Sequence, residues 1–151
     1  MKRALSGEGT ARLPARPALV WAALLDPEVL CFLTPGAETV ERLEPNGFRA
    51  SVSFGIGGLR GRYRVTLRLA DLLPPASLGR AGACQGTLGG GDAAAHVALA
   101  EEGEGTRVAW RFTGTVRGPV SLVGGTLLRV TSRLFVDRFF ARLARHLQGN
   151  G

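Results

Sequence analysis

The chain has 151 residues, 45% of them hydrophobic, and a formal net charge of +7. This length predicts one domain with a core large enough to need neither a metal nor a disulfide. The positive charge favours anionic partners, but the arginines are spread along the chain rather than clustered or interleaved with aromatic residues, which argues against nucleic acid as a partner.

The first part of the chain predicts one strand and two short helices. Residues 4–13 can form the strand, and residues 16–25 carry apolar side chains at helical spacing. Asp26 is a good N-cap and is followed by proline, so it should start a second helix over residues 27–33. We expect Trp21, in the first helix, to be fully buried and to play a structural role.

Beyond the helices the apolar residues recur with a period of two, which is typical of strands with one buried and one wet face. The clearest runs cover residues 48–56, 59–69, 78–87, 93–100 and 107–117. Glycine-rich joints such as residues 55–58 predict hairpin turns. The order of elements is a strand, two short helices, six antiparallel strands and a long helix, an α+β layout in which one helix covers the sheet.

Residues 119–147 predict that long helix, but its apolar face swings along its length. One face carries Val120, Val123, Leu127, Val130 and Leu134, and the other carries Phe135, Val136, Phe139, Phe140, Leu143 and Leu147. Either the helix bends or breaks near Ser132, or its first half is covered by another subunit, a membrane or a ligand. If Val120, Val123 and Leu127 are left uncovered by the sheet, they form a patch that would support a weak homodimer or a membrane contact.

This order of elements resembles the START/Bet v 1-like helix-grip fold, in which a curved seven-stranded antiparallel sheet wraps a C-terminal helix and encloses a cavity. More closely, the chain resembles the CoxG family of carbon monoxide dehydrogenase subunits, nearly end to end. The matching segments are VWAALLDPEVL at 20–30, PGAE at 35–38, GGLRGR at 57–62, GTR at 105–107 and FF at 139–140. We expect a single helix-grip domain over residues 1–148 and a disordered tail over residues 149–151.

The resemblance implies a non-catalytic protein that binds a small hydrophobic or lipid-like ligand. Its expected role is accessory to a molybdenum-containing carbon monoxide dehydrogenase or a related hydroxylase, which it would recruit, mature or supply with a quinone-like molecule. Members that dock the dehydrogenase on a membrane are expected to carry a further C-terminal tail. Since this sequence ends at Gly151, we do not expect docking by such a tail.

Strand phase and helical spacing predict a ligand cavity between the long helix and the concave face of the sheet. Its expected lining is Phe54, Tyr63, Trp110, Phe112, Leu134 and Phe135. The small residues Gly82, Cys84 and Gly86 either leave room opposite the helix or interdigitate with larger neighbours. Tyr63 offers a hydroxyl that could orient a ligand carbonyl.

Catalytic and metal chemistry have few candidates. His96 and His146 have no nucleophile or carboxylate nearby in sequence, and Cys31 and Cys84 lack metal-ligand spacing. No two carboxylates fall on inward strand positions, and the glycines around residue 57 join two strands, unlike a phosphate loop. We therefore expect no catalytic residue, metal or cofactor. The alternative is an enzyme of the same fold, such as a polyketide cyclase or dehydratase, which a polar cavity would favour.

Four arginines alternate with apolar residues along one strand and are called the arginine row below: Arg60, Arg62, Arg64 and Arg68. They should point outward together, either into solvent or onto an acidic partner protein or an anionic membrane. Each arginine at such a membrane could add about 1 kcal/mol at low salt. The N-terminus lacks an apolar signal segment, so we expect a cytoplasmic protein, peripheral at the inner face of the membrane if the row docks there.

Overall fold

The computed structural model describes residues 2–56, 59–74, 76–86 and 89–150. The elements, in chain order, are β1 (Lys2–Leu13), α1 (Pro17–Leu24), α2 (Pro27–Leu33), β2 (Ala37–Leu43), β3 (Gly47–Ile56), β4 (Leu59–Leu73), β5 (Ser77–Gly86), β6 (Gly89–Glu102), β7 (Gly105–Arg117), a 3₁₀ segment (Pro119–Val123) and α3 (Gly125–Asn150). Of the turn expected at residues 55–58, Gly55 and Ile56 belong to β3 and residues 57–58 lie outside the described residues; Ile56 and Leu59 pair across it.

The seven strands form one antiparallel sheet in the order β1-β7-β6-β5-β4-β3-β2. This confirms the expected α+β helix-grip architecture with two short helices after the first strand. Six strands were expected after the helices, and β2 is the one among them whose bounds the sequence pattern did not predict. The second helix also begins as expected, because the carboxylate of Asp26 accepts a hydrogen bond from the backbone N–H of Glu28 at 3.0 Å.

The long helix begins later than expected. Pro119–Val123 form a separate 3₁₀ turn, and Gly124, with φ 103°, separates that turn from α3. The chain leaves the helical conformation at this residue because only glycine adopts such a φ without strain. A break near Ser132, one of the alternatives expected there, does not occur, since α3 is continuous from Gly125 to Asn150.

The break also explains the swing of the apolar face. Val120 and Val123 belong to the 3₁₀ segment, and Val120 is only 8% exposed, so the uncovered patch expected there does not form. From Leu128 onward, α3 turns one stripe inward, which is buried at Leu128, Leu143 and Leu147 and partly buried between them. Its opposite side leaves three residues exposed, called the outer stripe below: Leu127, Val130 and Leu134.

Two cores lie at opposite ends of α3. The lower core joins α1, α2, the C-terminal part of α3 and the base of the sheet; it contains Leu13, Ala15, Val20, Ala23, Leu24, Leu33, Leu99, Val108, Leu143 and Leu147. The upper core contains Val120 and Leu128, with Leu5, Phe54, Val116 and Val123 packed against them.

Trp21 packs against the lower core but is only partly buried, so the expectation of full burial is wrong. Val20 and Leu24 take the inward positions of α1. Trp21, about 100° further around the helix than Val20, lies at the margin of the buried face.

The sheet must curve strongly, because α3 approaches both β1 and β3 within 8 Å, Cα to Cα. These strands are first and sixth in the sheet order. The strands between them therefore bow away from α3, and their concave face looks toward the helix across the interior.

Candidate ligand-binding site

The first aromatic group on the concave face is a stacked pair on β7. The rings of Trp110 and Phe112 lie 6.2 Å apart, centroid to centroid, with 16° between their planes. Gly9 and Gly7 are their register partners on β1. A Cβ on Gly9 would lie 2.6 Å from Cζ2 of Trp110, and one on Gly7 would lie 2.8 Å from Cε1 of Phe112. The two rings therefore lean onto bare backbone and form a flat aromatic wall.

The second group joins β3, β4 and α3. Phe54 meets Tyr63 edge to face, with ring centroids 6.4 Å apart, and meets Phe135 of α3 in the same way at 6.4 Å. Tyr63 is 9% exposed, and its hydroxyl oxygen is buried. Its ring lies against Gly86 of β5, where a Cβ would come within 2.5 Å of Cδ1.

The middle of the concave face is less densely packed than its two ends. Trp110 and Phe112 are only partly buried, whereas Val108, the next inward residue along the same strand, is fully buried in the lower core. Ala93 is exposed, although its pairing with Gly82 and Gly114 places it on the inward face. Solvent therefore reaches the concave face between the two cores, and the aromatic groups border this exposed strip, called the groove below. The enclosed cavity expected here is not seen in either of the two depressions described below, since the aromatic side chains line neither of them.

Five of the six side chains expected to line the cavity lie in these two groups. The sixth, Leu134, is 51% exposed on the outer stripe, so its expected inward position is wrong. Leu134 lies about 100° around α3 from Phe135, and Phe135 takes the inward position.

The room expected around the small residues of β5 is partly filled. A Cβ on Gly82 would lie 2.7 Å from Cδ2 of Leu67, and Gly86 is covered by Tyr63. These glycines interdigitate with β4, and the side chain of Cys84 lies outside the described part. Sequence reasoning missed the corresponding pair on β1. Gly7 and Gly9, two residues apart inside a strand, are a pattern that indicates close approach of another group.

An open depression of about 320 Å³ lies at the upper end of the sheet, lined by Gln85, Gly86, Gly89, Gly90, Arg117 and Gly118. Gly86 lies under the ring of Tyr63, so the depression is close to the second aromatic group, although Gln85 and Arg117 belong to the convex side. A smaller one of about 190 Å³ lies at the lower end between the three helices, away from both groups.

The arginine row is exposed on the convex side, as its strand phase predicts. Arg62 pairs with Glu38 of β2 at 3.1 Å. Within the described part of the chain, no carboxylate lies within 4 Å of the other three arginines. The row is therefore three unpaired cations and one that is already neutralised.

Neither histidine joins the aromatic groups. His96 pairs in register with Arg111 on the convex face, and His146 lies near Phe32 at the lower end, with ring centroids 6.4 Å apart. No helix in the described residues is long and apolar enough to cross a membrane.

The family model for the CoxG subunit of carbon monoxide dehydrogenase matches residues 9–148. A conserved protein from Geobacillus kaustophilus has a similar structure, with 23% identity, 96% of both chains covered and a TM-score of 0.91. A START superfamily protein from Mycobacterium smegmatis is similar at 14% identity, with 97% of this chain and 99% of that one covered and a TM-score of 0.73. Mll3558 from Rhizobium loti is similar at 18% identity, with 96% and 98% covered and a TM-score of 0.72.

No curated protein matches the chain. At these identities the solved structures show the fold, and the family model covers most of the chain. Together they favour a ligand-binding accessory role. The chain belongs to the CoxG family of carbon monoxide dehydrogenase subunits, with a START-like fold.

Proposed function

We propose that the protein binds a small hydrophobic or lipid-like molecule, a quinone included, in the groove between α3 and the concave face of the sheet. The observation that carries this proposal is that four of the five rings in the two aromatic groups, all but the buried Tyr63, stay partly exposed on the inner side of the fold. Apolar surface in contact with water is unfavourable by about 25 cal/mol per Å². An apolar ligand that covers these rings would recover that free energy and gain ring contacts as well.

The proposed role is binding without catalysis. Among the described inward positions of β3, β6 and β7 there is no histidine, and the carboxylate is Glu101, which is exposed at the end of β6 and pairs in register with Thr106, away from the aromatic groups. Among them Thr106 is a buried polar side chain, and its hydroxyl already donates to the carbonyl of Ala15 at 2.6 Å. Asp92 points to the convex side, where it pairs with Arg117 at 2.8 Å. A general acid or base for the enzyme alternative therefore has no support beside the aromatic groups on these strands.

The proposed partner is a molybdenum-containing carbon monoxide dehydrogenase or a related hydroxylase, which the protein would recruit, mature or supply with its ligand. This part of the proposal rests on the family name. The unpaired cations of the arginine row are the surface we propose for an acidic partner protein or an anionic membrane. Co-purification of the tagged protein with such an enzyme from its own cells would test the partnership.

Native mass spectrometry of the freshly purified protein tests ligand binding. We expect a one-to-one complex that releases a hydrophobic molecule on solvent extraction. Phe135→Ala should reduce the loaded fraction, whereas Leu134→Ala, one residue away on the exposed outer stripe, should not. A wild-type protein that carries no ligand and takes up none in a saturable way would contradict the proposal.

A further inference from the structure

The 3₁₀ segment is held between two glycines in conformations that other residues avoid. Gly118 has φ 85° and ψ −161°, and Gly124 has φ 103° and ψ 144°. Positive φ combined with extended ψ is essentially a glycine-only region. A short segment between two such residues can turn as a unit, because the dihedral changes are absorbed at its ends. The segment therefore has a hinge at each end.

The segment also lies at the upper end of the groove. Val120 is buried with Leu128, and Phe54 packs against this pair. Phe54 is the ring that meets both Tyr63 and Phe135, so the segment borders the ligand site directly. At one hinge, Gly118 lines the depression of about 320 Å³ that is close to Tyr63. Outward movement of the segment would uncover Phe54, which packs against Val120 and Leu128.

Few interactions hold the segment in place. The backbone N–H of Ser121 donates to the carbonyl of Gly118 at 2.9 Å, and the Ser121 hydroxyl donates to the same oxygen at 2.7 Å, so both bonds move with the segment. Among the described residues, its hydrogen bond to another element is the one from Nε of Arg3 on β1 to the carbonyl of Ser121, at 3.0 Å. Opening would break that bond and expose Val120.

We propose that Pro119–Val123 is the gate of the ligand groove, hinged at Gly118 and Gly124, and that Arg3 is a positioning residue that holds it closed. This inference rests on the proposed function, since the gate admits and releases the apolar ligand. If the ligand passes only while the gate is open, the fraction of time that the gate is open multiplies the association rate and the dissociation rate alike. Weakening the gate therefore speeds both steps and leaves the affinity unchanged.

Stopped-flow binding of the neutral fluorescent probe N-phenyl-1-naphthylamine to the full chain tests the gate. Arg3→Gln should raise the association and dissociation rates together by about fivefold, the factor that one ordinary hydrogen bond contributes to an equilibrium. The dissociation constant should stay at its wild-type value, and the unfolding temperature should fall by only about 2 to 4 °C, the effect of losing one hydrogen bond from the closed state. Arg12→Gln is the matched control, because Arg12 also lies on β1 and donates to a backbone carbonyl, that of Glu102, at 3.2 Å. It should leave both rates unchanged.

A second pair of variants tests the hinge. Gly124→Ala should also raise both rates, because alanine disfavours φ 103°. Gly149→Ala, in the last turn of α3, should not. A Cβ meets nothing within 4 Å at either position, so the two variants differ only in backbone conformation.

If the probe binds but Arg3→Gln and Gly124→Ala keep wild-type rates, the gate is overturned and the proposed function stands. If either variant changes the dissociation constant without changing the association rate, the residue acts on the bound ligand and the gate is overturned as well. If the wild-type protein takes up no probe, the gate falls together with the proposed function.

Discussion

Substitution of Gly9, whose backbone lies against the ring of Trp110, should narrow the groove without changing a residue that contacts the ligand. In Gly9→Ala the new Cβ would lie 2.6 Å from Cζ2 of the ring. Ordinary carbon contacts are about 3.5 to 4.0 Å, so the ring must shift by about 1 Å. The partly exposed ring can move toward the groove, where it would displace about one methylene group of a bound ligand. Such a group is worth about 0.8 kcal/mol, or about fourfold in the dissociation constant.

Stability should respond differently from affinity. Alanine in a strand interior is about 0.5 to 1 kcal/mol more stable than glycine, which offsets part of the cost of moving the ring. We therefore expect Gly9→Ala to weaken N-phenyl-1-naphthylamine binding by about fourfold while its free energy of unfolding in urea changes by less than about 1 kcal/mol. Thr10→Ala, the next residue and exposed on the opposite face, is the control. Unchanged probe affinity in Gly9→Ala would refute the view that Trp110 borders the ligand.

Three further predictions concern the surface and the lower core. Replacing the three unpaired cations of the arginine row by glutamine should abolish salt-sensitive binding to anionic vesicles and leave the unfolding temperature unchanged. The screening length is near 8 Å at about 0.15 M salt, so only charges at the contact itself contribute to binding. Binding that survives this replacement, or that does not depend on salt, would show that the arginine row is only a solvated face. Trp21→Ala should lower the free energy of unfolding, measured by urea denaturation, by about 2 kcal/mol, less than the roughly 3 to 5 kcal/mol typical of a fully buried tryptophan. An unchanged unfolding midpoint would show that the ring does not pack against the lower core. Val130→Asp with Leu134→Asp should remove weak self-association in sedimentation experiments, because both side chains are 51% exposed on the outer stripe; a wild type that remains monomeric at every concentration would contradict this.

The phases of β3, β4 and β7 were predictable because these strands alternate apolar and polar residues along their length. Phe54 and Tyr63 are on the inward face and the arginine row is on the outward face for that reason. The packing of Trp110 and Phe112 against Gly9 and Gly7 was not predicted, because cross-strand partners depend on the pairing register of β1 with β7.

The helix was harder to predict than the sheet. Apolar residues continue across Gly124 at helical spacing, so the sequence pattern does not show that one helical segment ends there and a second begins with its inward face at a different angle. Because α3 begins only after Gly124, Leu128 lies on its inward face and Leu134 lies on the outer stripe. A glycine within a helical pattern followed by a swing of the apolar face is therefore better interpreted as a break at the glycine than as a bend at the swing.

The most direct test of ligand binding inside the groove uses the two tryptophans of the chain. Trp110 lies on the aromatic wall, and Trp21 packs against the lower core. In Trp21→Phe, a brominated fatty acid that quenches on contact should reduce the remaining emission of Trp110, with saturation at one equivalent. In Trp110→Phe, the emission of Trp21 should persist under the same conditions. Quenching of Trp21 rather than Trp110, or quenching of either without saturation, would contradict ligand binding between α3 and the sheet.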